Sequence, residues 1–148
     1  MEAVDFEKIK KEVGIIPWFI RYFPGFAKIS GLALRNRFLL NPKLYADLIS
    51  NNPSPYVIGL AIHEIEHIKR AKEYGFWKYR TWYILSKKFR YQEELECHKP
   101  QFRYFKQIGY NFDLEPRARI LSGSLYFFPV KYEKALADLK EIYLKVGM

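Results

Sequence analysis

The sequence predicts one α+β domain, mostly helical, with a small β-sheet or hairpin ahead of a long buried helix. Three observations carry that expectation. Apolar residues recur at helical spacing in Val57, Ile58, Ala61, Ile62, Ile65 and Ile68, and again in Tyr132, Leu136, Leu139, Tyr143 and Val146. Strand-like alternation is confined to residues 28–41, where Leu32, Leu34, Phe38 and Leu40 are interleaved with other residues. Hydrophobic residues make up 49% of the 148, enough to bury one core without staples, and the lone Cys97 excludes an intramolecular disulfide framework. The expected domain spans 1–148, with no internal repeat, low-complexity tract or linker.

Taken in order, residues 2–13 read as a short amphipathic helix, with Val4, Ile9 and Val13 apolar among Glu and Lys and with Gly14 as its stop. Residues 15–26 are apolar and aromatic but broken by Pro17, Pro24 and Gly25, which suits a lid or a wrapped loop over a core. The strand at 28–41 has Gly31 and Asn36 as points of bend or bulge. It reads as an ordinary edge or hairpin strand, or as an edge that an extended substrate backbone can join. Residues 42–49 form a short helix and 50–55 a turn. Ser54 and Pro55 then supply the N-cap and first residue of the long helix, and Gly75 its stop. Lys69, Arg70 and Lys72 gather near its C-terminal end, where the helix dipole favours cations.

Beyond Gly75, residues 76–85 are rich in Trp and Tyr and begin another helix. The charged stretch 86–98 follows. Pro100, lacking an N–H and crowding Lys99, predicts a break or kink before a helical pattern resumes over 101–108. Residues 111–115 read as loop, Pro116 as the start of a short helix reaching Leu121, and Pro129 as the start of the last helix.

The N-terminal residues are charged and lack an apolar core, so no signal peptide is expected, and no stretch approaches the ~20 apolar residues of a membrane span. With a single cysteine, this fits a cytoplasmic location. The net charge of +9 is spread along the chain without a long basic run, so non-specific attraction to acidic partners is expected and specific nucleic-acid recognition is not. Oligomeric state is not legible.

The long helix carries His63-Glu64-Ile65-Glu66-His67. Residues four apart on a helix are neighbours, so His63 and His67 can offer two imidazole nitrogens to one metal ion. Glu64 can reach a water on that metal as general base. Zinc suits the set, because imidazole and carboxylate both bind it and a catalytic site keeps one position for water, whose pKa falls to about 7. Of the three histidines in the chain, two fall here. On a helix expected to be mostly buried, a metal is the best reason for them.

Two histidines hold zinc poorly, so a third ligand is sought in Tyr91-Gln92-Glu93-Glu94-Leu95-Glu96-Cys97-His98. If this segment is helical, Glu94, Cys97, His98 and Gln101 share one stripe, while Glu93, Glu96 and Cys97 share a neighbouring one. Periodicity therefore separates Glu94 from Glu93, Glu96 and His98 only weakly. The pattern Glu94-x-Glu96-Cys97 resembles the Glu-x-Glu-Ala pattern of the gluzincin metallopeptidases. The small size and order of elements resemble the minimal soluble gluzincins, the minigluzincins, over roughly residues 28–108. The resemblance implies a zincin-like minimal metallopeptidase domain. It further implies that His63, His67 and Glu94 hold zinc, that Glu64 is the catalytic base, and that the substrate is a peptide or protein. Cys97-His98 stands where membrane relatives often have Ala-Asp, leaving that aspartate's supporting role unfilled or to His98. No motif marks the residue that would stabilise a tetrahedral intermediate; Arg103, Tyr104 and Arg117 are candidates. Two other readings stay open: a non-catalytic module that keeps zinc for stability or partner binding, its shell closed by Cys97 or His98, and a nucleic-acid-associated metalloprotein. Cys97 itself reads best as a small buried hydrophobe.

Overall fold

A computed structural model describes residues 6–17, 31–33, 35–127 and 129–147. Its elements are α1 (Phe6–Glu12), β1 (Val13–Ile15), β2 (Gly31–Ala33), β3 (Phe38–Leu40), α2 (Pro42–Leu48), α3 (Pro55–Tyr74), α4 (Phe76–Leu85), α5 (Lys87–Gln107), α6 (Leu114–Leu121), a 3₁₀ turn at Ser124–Tyr126, and α7 (Tyr132–Lys145). The chain is thus mostly helical with one small sheet, as the α+β expectation requires. Among the described residues no helix is long and apolar enough to cross a membrane. Two compact units divide the chain, residues 1–68 and 69–148, and the division falls inside α3.

In the first unit the sheet has the order β1-β3-β2. β1 runs parallel to β3, pairing Val13 with Phe38, and β2 runs antiparallel to it, pairing Gly31 with Leu40. Alternation fixes which side chains turn inward: Phe38 and Leu40 are fully buried and Leu39 between them is not. The single expected strand is therefore two strands of a hairpin, with bends at Arg35 and Asn36. Residues 28–30 and 34 of that expectation, 2–5 of the first helix and 18–26 of the expected lid lie outside the described residues. Val13 and Gly14 were expected to close the first helix. Instead they lie in β1, because Gly14 pairs with Leu39 and the ladder supplies the backbone partners a further turn would have given.

α2 packs against β1 and β3 and is capped by Asn41, whose side chain accepts from the Leu44 amide at 3.0 Å. α3 begins where expected. The Ser54 hydroxyl oxygen accepts from the Val57 amide at 3.4 Å and donates to Asp47 Oδ2 at 2.6 Å, so α2 holds the cap that starts α3. Val57, Ile58, Leu60, Ala61, Ile68 and Ala71 are buried along α3. Gly75 ends it at φ +87°, a backbone that side chains rarely adopt.

In the second unit, α5, α6 and α7 enclose a core of Tyr91, Phe102, Phe105, Ala118, Leu121, Ala135 and Leu139. Phe105 stacks on Phe112 with ring centroids 5.0 Å apart, and Phe102 meets Tyr143 edge-on at 5.4 Å. α5 passes through Pro100 without ending, so the break expected there is not found. An interior proline costs a helix about 3 kcal/mol. Here Cys97 and His98 are buried just before it and Gln101, Phe102 and Phe105 just after, and that continuous buried face offsets the loss. α6 starts two residues before Pro116, because the Asp113 side chain accepts from the Glu115 amide at 3.0 Å and caps the helix. The last helix starts at Tyr132, not at Pro129.

Candidate functional site

His63, Glu64 and His67 lie on α3 within the first unit, and all three are buried, at 2%, 7% and 7% exposure. Burial matters because two imidazoles and a carboxylate removed from water need polar partners. Helical spacing brings the imidazoles together with rings at 76° and Nε2 atoms 3.2 Å apart. Two nitrogens bound tetrahedrally to zinc at about 2.0–2.1 Å would stand about 3.3 Å apart. The donor pair therefore has the bite that zinc requires. Without an ion, the same contact requires one Nε2 to carry a proton and donate it to the other.

Glu64 lies against β2. A Cβ built on Gly31 would come within 2.7 Å of Glu64 Oε1, so the missing side chain of Gly31 makes room for this carboxylate. Among the described residues β2 pairs only with β3, so it is an edge strand of the described sheet, and the candidate base stands beside that strand. Gly31→Ala is accordingly expected to displace the Glu64 carboxylate while leaving both imidazoles in place. A misplacement approaching 1 Å costs a reaction on the order of a hundredfold. If Glu64 is the general base of a zinc site, steady-state kinetics beside metal analysis should show a lower kcat with zinc content unchanged.

The second unit contains Glu94, on α5. The three glutamates of this stretch have three different settings. Glu93 takes both arms of Arg70, with Nε to Oε2 at 2.6 Å and Nη2 to Oε1 at 2.8 Å, and is 3% exposed. The hydrogen bond to Glu93, opposed in part by burial, raises the Arg70 guanidinium above its ordinary value. Glu96 pairs with Lys99 at the surface. Glu94 is buried, at 1% exposure; Tyr83 donates to its Oε1, and Arg117 Nη2 donates to its Oε2 at 2.8 Å. Burial, and then the Glu94 carboxylate, push the Tyr83 phenol well above its usual range, so it remains a donor.

His98 does not stand open beside Glu94. Arg117 Nε donates to His98 Nε2 at 2.7 Å, and since arginine can only donate, that nitrogen is the acceptor. His98 Nδ1 then donates to Gln101 Oε1 at 2.7 Å, and the ring stacks on Phe102. Gln101, His98 and Arg117 thus form a chain of hydrogen bonds that ends on the Glu94 carboxylate. A carboxylate with about four lone-pair sites keeps acceptor capacity after two such bonds, whereas an imidazole nitrogen has a single lone pair. Tyr83 and Arg117 orient the Glu94 carboxylate, and His98 in turn orients Arg117.

Of the three residues considered for stabilising an intermediate, Arg103 is exposed, Tyr104 lies against Phe105 in the core, and Arg117 is bound to Glu94 and His98. Cys97 is fully buried. Sequence reasoning missed Tyr83, which sits in an aromatic run where nothing sets it apart, and Gly31, which read as a bend in a strand. Compared with protein families, with curated proteins and with solved structures, the chain matches none.

Proposed function

We propose that this chain is a zinc-dependent peptidase of the gluzincin kind, with His63, His67 and Glu94 as ligands and Glu64 as general base. The observation that carries the proposal is the 3.2 Å separation of the two buried Nε2 atoms, with Glu64 one residue along the same helix. A zinc ion held by such a set would supply a Lewis acid for a peptide carbonyl and a source of hydroxide near neutrality. Glu64 accepts the proton released when water attacks and returns it to the leaving amine. Tyr83 and Arg117 fix the orientation of the Glu94 carboxylate, as hydrogen-bonding groups around metal ligands generally do.

Incubation with a broad peptide library tests the proposal. Cleavage that stops on chelation and returns with added zinc is the expected result; no cleavage of any peptide by zinc-loaded protein would favour a zinc-stabilised binding module.

The ligand set makes a separate prediction. Glu94→Ala should weaken zinc retention most. Tyr83→Phe and Arg117→Ala should each weaken it about 10–100-fold, the range typical for partners of metal ligands. His98→Ala should do no more than these, and Glu96→Ala almost nothing. Competitive titration against a chromogenic chelator ranks the variants. A large loss with His98→Ala and none with Glu94→Ala would move the third ligand to His98.

A further inference from the structure

From Tyr74 to Gln92 the chain holds no Asp or Glu, but it holds Lys78, Arg80, Lys87, Lys88 and Arg90. Residues 13–46 are likewise free of acid, so what sets this stretch apart is the company of its lysines with exposed apolar side chains. It includes α4, FWKYRTWYIL, an apolar helix that is nevertheless largely at the surface. Tyr79 is its one buried residue, stacked on Tyr83 at 5.8 Å and edge-on to Phe89 of α5 at 5.7 Å. Much of the rest of the helix is in solvent: Trp77, Ile84 and Leu85 on the far side are 78%, 68% and 75% exposed, and Trp82, one turn beyond Tyr79, is 52% exposed. Trp77, Thr81, Ile84 and Leu85 recur at i, i+4, i+7 and i+8 and so form one stripe, with Lys78 and Trp82 alongside. Phe127 is also 68% exposed, and the Arg90 guanidinium that lies 5.0 Å from its ring also donates to the Ile84 carbonyl. A helix apolar on nearly every side is normally enclosed. This one presents its largest apolar groups to water.

We propose that the outer face of α4, with the start of α5, docks on a bilayer surface that carries anionic headgroups. Trp77 and Trp82 have the amphipathic rings that sit at headgroup level, and Ile84 and Leu85 reach the acyl boundary beneath. Lys78, Lys87 and Lys88, all exposed, extend to the phosphates while their stems cover apolar surface. Charge complementarity selects this occupant. A second copy of the chain would bring the same lysines against one another across a two-fold axis. Single-stranded nucleic acid would use the aromatic faces but has nothing to stack on Ile84 or Leu85. α4 has ten residues, too short to span, so it lies in the plane of the interface.

Flotation of the full chain with vesicles tests this. Phosphatidylcholine vesicles with ~30% phosphatidylglycerol should carry the protein, and pure phosphatidylcholine vesicles should carry far less. Binding should weaken as salt rises and screens the lysines. Each lysine near an anionic surface is worth about fivefold in partition, so Lys78→Gln, Lys87→Gln and Lys88→Gln together should lower it about a hundredfold. Trp77→Ser with Leu85→Ser should lower it at least about tenfold. These side chains are exposed, so the melting temperature should hold, and the salt series on the wild type needs no variant at all. Absence of flotation with anionic vesicles, or equal flotation of wild type and variants, would overturn the proposal. So would a lipid-free dimer abolished by Trp77→Ser, or an oligonucleotide that displaces the vesicles and loses affinity with the same substitution.

Discussion

Glu64→Gln is expected to abolish peptide cleavage while leaving zinc content and fold intact. The amide nearly matches the carboxylate in shape, so the contact with Gly31 on β2 survives, but it cannot take a proton from water. General-base catalysis contributes about 10²–10⁴-fold, and a loss in that range is expected in kcat/KM. The control is metal analysis of the same preparation: one zinc with no activity assigns Glu64 to the chemistry. Equal cleavage by wild type and variant would show that some other group takes the proton.

Glu93→Ala should destabilise the second unit strongly. Its carboxylate takes both arms of Arg70 while almost fully removed from water, and the two groups tie the last turns of α3 to α5. Truncating Glu93 leaves the half-buried Arg70 charge uncompensated, which costs up to about 3 kcal/mol. For a chain of this size the melting temperature should fall by up to about 10 °C. Replacing both residues, Arg70→Met with Glu93→Leu, should recover most of the loss, because two well-packed apolar side chains need no partner charge. Glu96→Ala provides the contrast. Its pair with Lys99 is exposed at both ends, and its removal should shift the melting temperature little. If Glu93→Ala and Glu96→Ala melt alike, the Arg70 pair contributes no more than a surface contact.

These two glutamates also show what was legible in the chain. Their local pattern placed Glu93, Glu94 and Glu96 on one helix but gave no physical reason to treat them differently. The difference comes from Arg70, Tyr83 and Arg117, which lie 23, 11 and 23 residues away from their partners. By contrast, the residues that mark the limits of α3 adjoin it, although Asp47 of α2 braces the cap. Ser54, Pro55 and Gly75 could be read directly because a cap needs a side chain within one turn and a stop needs a backbone only glycine adopts easily. The juxtaposition of His63 and His67 was equally local, since an interval of four is a property of the helix itself. The C-terminal end of α1 and the split of the 28–41 strand were not, because both depend on β1 and β2 pairing with β3. Pro100 misled for the same reason in reverse: its local penalty is real, and the buried face of α5 outweighs it. The tryptophans of α4 suggested a helix, but only exposure shows that they face water.

The central claim is that His63 and His67 share one metal ion, and zinc stoichiometry tests it most directly. Elemental analysis of the purified chain should give about one zinc per chain, and X-ray absorption should place two imidazole nitrogens and an oxygen donor at about 2.0–2.1 Å. His63→Ala with His67→Ala should remove the metal, and chelation of the wild type should lower its melting temperature, because an ion bound only by the folded state adds to its stability. A protein that holds no zinc, even after refolding in excess zinc, would contradict the claim and leave the 3.2 Å contact as a hydrogen bond between two buried imidazoles.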